Sequence, residues 1–223
     1  MHIGLIGGIG PAATDFYHRG LIERHTASGI PLDLTIAYAN VREMSRNLAD
    51  KTPGKQAEIF ARLVHRLKGA GAAAAAITSM GGHFCVKELV AISPLPILNG
   101  LPAVDAAIAR SKLKKVGIIG TRNVMESGLY GSIVSAEVVA PEGDERDRVA
   151  QCYSEMATIG RVTDQQRRTF FEAGRRLCGE QGAQAVMLGG TDLFLAFAGQ
   201  DCGFPVIDCA DIHVDAIYRK SAD

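Results

Sequence analysis

Short runs that are apolar at nearly every position recur along this 223-residue chain, separated by segments of helical length. A strand with no polar face has to be covered on both sides, which is the situation of strands in a parallel sheet flanked by helices. Runs of this kind lie at 2–6, 34–38, 73–78, 96–98, 116–119, 135–139, 185–188 and 205–207. Helices are expected over 11–26, 53–69, 102–111, 125–132, 145–159, 163–181 and 211–219. Strand and helix in alternation predict an α/β chain whose parallel strands are joined by right-handed crossovers.

The pattern also repeats. Ile3-Gly4-Leu5-Ile6-Gly7 returns as Val116-Gly117-Ile118-Ile119-Gly120, with 113 residues from Ile6 to Ile119 and again from Tyr17 to Tyr130. Ala75-Ala76-Ile77-Thr78-Ser79 loosely matches the segment from Ala185 to Gly190, and Leu95-Pro96-Ile97-Leu98 returns as Phe204-Pro205-Val206-Ile207, 109 residues on. Three matches in one order imply a duplicated α/β unit. The expected halves are 1–100, joined by a C-terminal helix at 208–223, and 101–207.

Composition narrows the function. Lys and Arg total 24 against 24 Asp and Glu, so no basic excess points to nucleic acid or a membrane surface. No apolar run approaches the ~20 residues of a membrane helix, and the opening segment is too short and lacks the basic leader of a signal peptide. Five cysteines without metal or disulfide spacing read as reduced thiols of a cytoplasmic protein, with no metal expected.

Ligands of parallel sheets gather at the carboxyl ends of strands. The first such loop, Gly7-Gly8-Ile9-Gly10-Pro11, places Gly8 and Gly10 before a helix start where an anion is welcome. It also spells the dinucleotide pattern G-x-G-x-x-A through Ala13, but the acidic residue required at the end of the second strand is missing; Tyr38-Ala39-Asn40 stands there. Thr78-Ser79-Met80-Gly81-Gly82-His83 closes the third strand with hydroxyls, exposed amides and an imidazole, a combination suited to a carboxylate. The plain alternative is an N-cap by Ser79 with His83 packed in the following helix. Gly189-Gly190-Thr191-Asp192 is its counterpart in the second half, and Thr121 with Arg122 follows the first strand there. Duplication is expected to set the Ser79 and Gly190 loops face to face across a cleft. Asn40 and Arg46 lie past the second strand, and Arg46 offers a two-pronged guanidinium for a carboxylate, with Arg42 competing for the role.

These motifs resemble the aspartate/glutamate racemase family over nearly the whole chain. Residues 3–14 look like its opening glycine loop, 120–130 like its central G-T-x-x-T segment with Val124 at the last Thr, and 205–213 like its closing P-V-F-D-T-T-x-x-H. The resemblance implies two pseudo-twofold-related, Rossmann-like α/β domains with the active site in the cleft between them, and a homodimer. It implies cofactor-free isomerisation of aspartate, glutamate or a similar small acidic substrate, in which two cysteines exchange protons on opposite faces of one carbon. It further implies substrate contacts at Asn40, Arg46, Ser79, Met80, Gly81, Thr121, Gly190 and Thr191, besides the Gly8 and Gly10 loop.

The sequence departs from the family at both proton carriers: Ser79 stands at the first cysteine and Gly190 at the second. Two-thiol racemisation therefore does not carry over. Ser79, His83 and Asp192 are the candidate catalytic groups, and a displaced Cys85 or Cys209 is the other source of a proton carrier. The competing reading is a family member that binds a small carboxylate and has lost its chemistry.

Overall fold

The computed structural model describes residues 1–222. It is an α/β structure with two parallel sheets. The elements run β1 (Ile3–Gly7), α1 (Pro11–Ser28), β2 (Leu34–Tyr38), α2 (Val41–Ala49), α3 (Pro53–Gly69), β3 (Ala74–Ile77), α4 (Val86–Ile92), α5 (Gly100–Arg110), β4 (Lys115–Ile119), α6 (Arg122–Glu126), β5 (Glu137–Val139), α7 (Gly143–Ile159), α8 (Asp164–Gly179), β6 (Val186–Leu188), α9 (Phe194–Phe197), β7 (Val206–Asp208) and α10 (Cys209–Ala222). Single turns of 3-10 helix, Gly81–Cys85 and Thr191–Leu193, follow β3 and β6. The chain divides into two compact units, Met1–Asn99 with the segment from His213 onward, and Gly100–Ile212.

The first unit orders its strands β2-β1-β3, with Ile97 paired beside Ala75 in the fourth place. All five residues of β1 are buried, which is why its sequence has no polar face. Against one side of the sheet α3 lays Phe60, Val64 and Leu67, spaced one helical turn apart and fully buried. The second unit repeats the arrangement as β5-β4-β6-β7, where β7 pairs with β6 as Ile97 pairs with Ala75. Its core gathers Tyr153 and Met156 of α7, Phe170 and Leu177 of α8, and Ile119, Val186 and Leu188 of the sheet.

The duplication is visible atom by atom. A Cβ placed on Gly4 of β1 would sit 2.8 Å from Cδ1 and 2.9 Å from Cβ of Leu67; one on Gly117 of β4 would sit 3.0 and 3.1 Å from the same atoms of Leu177. In both units the crossover helix reaches the first strand only because that strand has no side chain there.

Two expectations need correction. The helix expected at 125–132 is α6, Arg122–Glu126, and it gives way to a turn. Gly128, Leu129, Tyr130 and Gly131 have φ between 56° and 64°, the left-handed region, so a right-handed helix cannot continue. The run at 96–98 contributes one bridge at Ile97 rather than a strand. Helices α2, α4 and α9 lie in segments for which the apolar spacing indicates none.

Gly4→Ala is expected to lower stability by about 1–3 kcal/mol, the usual range for an inserted methyl group in a packed core, because it presses on the fixed Cβ of Leu67. Equilibrium urea unfolding checks this, and an unchanged midpoint would show that α3 moves away freely.

Candidate active site

The glycine loop after β1 is held from within. The Gly8 amide donates to Thr14 Oγ1 at 2.9 Å, and the Thr14 hydroxyl donates to the Gly10 carbonyl at 3.1 Å. The Gly8 amide, which a phosphate-binding loop would offer to its ligand, already has a partner. Past β2, Asn40 is the N-cap of α2, its Oδ1 accepting from the amides of Arg42 at 3.0 Å and Glu43 at 3.3 Å. Arg42 and Arg46 are exposed on that helix.

The turn after β3 is buried. Thr78 ties it to β1, its hydroxyl donating to the Ile6 carbonyl at 3.0 Å. Ser79 is 6% exposed, and Met80 and His83 are enclosed. No side chain caps the 3-10 turn; the Ser79 carbonyl takes that role, accepting from the Gly82 amide at 3.1 Å and from His83 Nδ1 at 2.8 Å. A carbonyl only accepts, so His83 carries its proton on Nδ1 and presents Nε2 as an acceptor. Gly81 has room around it, with Ser79 Oγ 3.5 Å from the position of a would-be Cβ.

Behind this turn lies a network that sequence reasoning does not single out. His213, fully buried on α10, uses Nε2 to donate to the Leu98 carbonyl and Nδ1 to accept from the Tyr17 hydroxyl, both at 2.8 Å. The Tyr17 hydroxyl also lies 3.9 Å from the Met80 sulfur, and the His213 ring stands edge-on to that of His83, centroids 5.2 Å apart. His213 closes the last family-like motif, which is the available signal. Tyr17 enters the sequence reading only as part of the repeat.

In the second unit Thr121 caps α6, its Oγ1 accepting from the Val124 amide at 3.3 Å. With Arg122, Asp147, Ala150, Gln151 and Ser154 it lines a cavity of about 350 Å³. Arg122 is engaged there by Asp147 at 2.8 Å and Glu126 at 3.6 Å. Beyond β6, Gly190 starts the second 3-10 turn, and Thr191 and Asp192 are buried. The Tyr153 hydroxyl donates to Asp192 Oδ2 at 3.0 Å. Tyr153, too, escapes the sequence reading, since nothing marks one tyrosine in a helix of mixed polarity.

Cys85 and Cys209 are poorly placed for base chemistry. Cys85 donates weakly to the Gly82 carbonyl at 3.6 Å, and burial, aided by Glu88, pushes it up to about 12. Burial raises Cys209 further, with Asp208 adding to the effect. A thiol so shifted is not a thiolate at neutral pH. The groups left near the two turns are hydroxyls, imidazole and carboxylate.

Burial also sets the histidines. It lowers His83 to about 4 against the pull of the Ser79 carbonyl, and lowers His213 to about 3, with His83 contributing. Both rings are neutral at pH 7. An unfolded histidine is protonated below about 6.5, so over the interval down to about 4 the unfolded chain holds more protons and acid erodes the stability these rings confer. Asp208 acts in the opposite sense: burial raises it to about 6, so its contribution is complete below 3.8 and lost as pH rises through 6. Two imidazoles outweigh one carboxyl, and acidification from pH 7 to 4 is expected to lower stability by about 4 kcal/mol. His213→Gln should flatten the slope by about one proton. Urea midpoints measured across that interval test both statements; a midpoint that rises on acidification would contradict them.

Known proteins share this architecture. The model of the Asp/Glu/hydantoin racemase family matches residues 6–217. A candidate Asp/Glu racemase from Yersinia pestis superposes with a TM-score of 0.86 at 26% identity, with 100% of both proteins covered. An aspartate racemase homologue from Pyrococcus horikoshii gives 0.81 at 23%, covering 100% of this chain and 99% of its own. A glutamate racemase from Francisella tularensis, solved with D-glutamate, gives 0.69 at 15%, covering 98% of this chain and 80% of its own. With a family model spanning nearly its full length, the chain belongs to the Asp/Glu/hydantoin racemase family.

Proposed function

We propose that this protein is a cofactor-independent isomerase of the racemase type, acting at the α-carbon of aspartate, glutamate or a similar small acidic amino acid. The observation that carries the reading is the paired chemistry of the two strand-end turns: each buries a titratable side chain, His83 after β3 and Asp192 after β6, beside a hydroxyl, Ser79 or Thr191. Buried titratable groups are costly to keep in a fold and tend to mark sites of chemistry. In the first unit the Ser79 hydroxyl, the turn amides and the exposed Arg46 are candidate contacts for a substrate carboxylate, and in the second unit the Thr191 and Thr121 hydroxyls are. Five free thiols suit a reducing compartment, the cytoplasm, and a homodimer is the proposed assembly.

Removing an α-proton requires a base within hydrogen-bond reach and donors to stabilise the charge that develops on the carboxylate. His83 is neutral at pH 7, its Nδ1 proton held by the Ser79 carbonyl. Asp192 offers a carboxylate backed by the Tyr153 hydroxyl. Neither thiol position of the family is needed for this arrangement, in which Ser79 and Gly190 take the places of the cysteines.

A second reading has its own support. Gly190 supplies no acid or base, and Cys85 and Cys209 hold their protons. On that reading the protein grips a small carboxylate without transforming it.

Proton exchange into D2O, followed by NMR with both enantiomers of aspartate and glutamate, separates the two. Wild-type protein is expected to exchange the α-proton, and Asp192→Asn to slow exchange by about 100-fold or more, the usual contribution of a positioned acid or base. Calorimetric binding of a dicarboxylate without exchange from either enantiomer would favour the binding protein.

A further inference from the structure

Gly190 has no room for a side chain, and what fills the space is a phenol. A Cβ on Gly190 would lie 2.5 Å from Cζ and 2.8 Å from Oη of Tyr153. The tyrosine reaches this point from α7, where it is 6% exposed within the core of the unit, and its hydroxyl bonds to Asp192, two residues beyond the glycine. A phenylalanine would fill the same volume without burying an oxygen. A buried hydroxyl is retained where it has a partner or a task.

Resting on the racemase-type reading above, we propose that Tyr153 is the proton carrier of the second unit, its phenol standing where a side chain of residue 190 would stand and Asp192 serving as the proton reservoir behind it. The exchange balances without any added reagent. The substrate Cα–H bond breaks and its proton passes to the phenol oxygen, while the phenol's own proton passes to Asp192 Oδ2. The electron pair left on Cα is delocalised into the substrate carboxylate. The reverse sequence returns a proton to carbon. At no stage does a free phenolate have to form, which suits a tyrosine whose burial and neighbouring Asp192 carboxylate hold its ionisation well above the ordinary value. Glycine at position 190 is then part of the device: any larger residue would displace the ring from the strand end.

Tyr153→Phe keeps the ring and removes only the oxygen. Offered L- and D-aspartate and L- and D-glutamate in D2O, the variant is expected to exchange the α-proton about 10²–10⁴-fold more slowly than wild type, as loss of a general acid–base group does. Its calorimetric affinity for the same amino acids should stay within a few-fold. Wild-type exchange that survives Tyr153→Phe overturns this assignment and leaves the racemase reading standing. No exchange by wild type from any of the four substrates overturns both. Should Tyr153→Phe fail to fold, Tyr153→Ala is compared with Tyr153→Ala/Gly190→Cys, which sets a thiol in the vacated space. Faster exchange in the double variant, with a rate rising towards the thiol range near pH 8.5, supports the assignment, and equal rates in the two overturn it.

Discussion

The approach of a leucine to a glycine sets the depth of both sheets. Leu67 lies on Gly4 and Leu177 on Gly117, each at a distance that a side chain on the strand would forbid. Close packing of helix on sheet fixes how far α3 and α8 run before the backbone turns into β3 and β6, and hence where the two strands end. The 3-10 turns that carry His83 and Asp192 begin just past those ends. The placement of the polar groups is therefore a consequence of apolar packing several residues earlier.

Around those turns the two units solve one problem with different residues. A buried polar side chain requires a partner. In the first unit the solution is imidazole on backbone carbonyl, His83 on Ser79 and His213 on Leu98, with Tyr17 bridging to His213. In the second it is phenol on carboxylate, Tyr153 on Asp192. Each arrangement leaves its titratable group with a defined proton: the histidines neutral, the tyrosine protonated. The buried polar groups at the two turns are hydroxyl, imidazole, phenol and carboxylate, and Cys85 and Cys209 are buried thiols that hold their protons at neutral pH.

Much of the architecture is legible because strand burial writes itself into composition. β1, β3 and β6 are buried at every position and lie within a residue or two of the apolar runs that predict them. Prolines at the starts of α1 and α3 mark those helices equally well. The turn at 127–131 reads as helix because its apolar spacing is helical, whereas Leu129 and Tyr130 take left-handed backbone there. Helix α2 is hidden for lack of an apolar face of ordinary length: only Met44 and Asn47 of its nine residues are buried.

The sequence by itself determined the alternating α/β plan, the duplication, the strand-end loops and the absence of thiols at positions 79 and 190, since periodicity, glycine placement and residue identity are local properties. Tertiary structure alone decided which side chains complete those loops. Tyr153 is 37 residues from Gly190 and His213 is 130 residues from His83, and no local pattern couples residues so far apart. Their pairing depends on where helices α7 and α10 come to rest, which the packing of whole apolar faces determines.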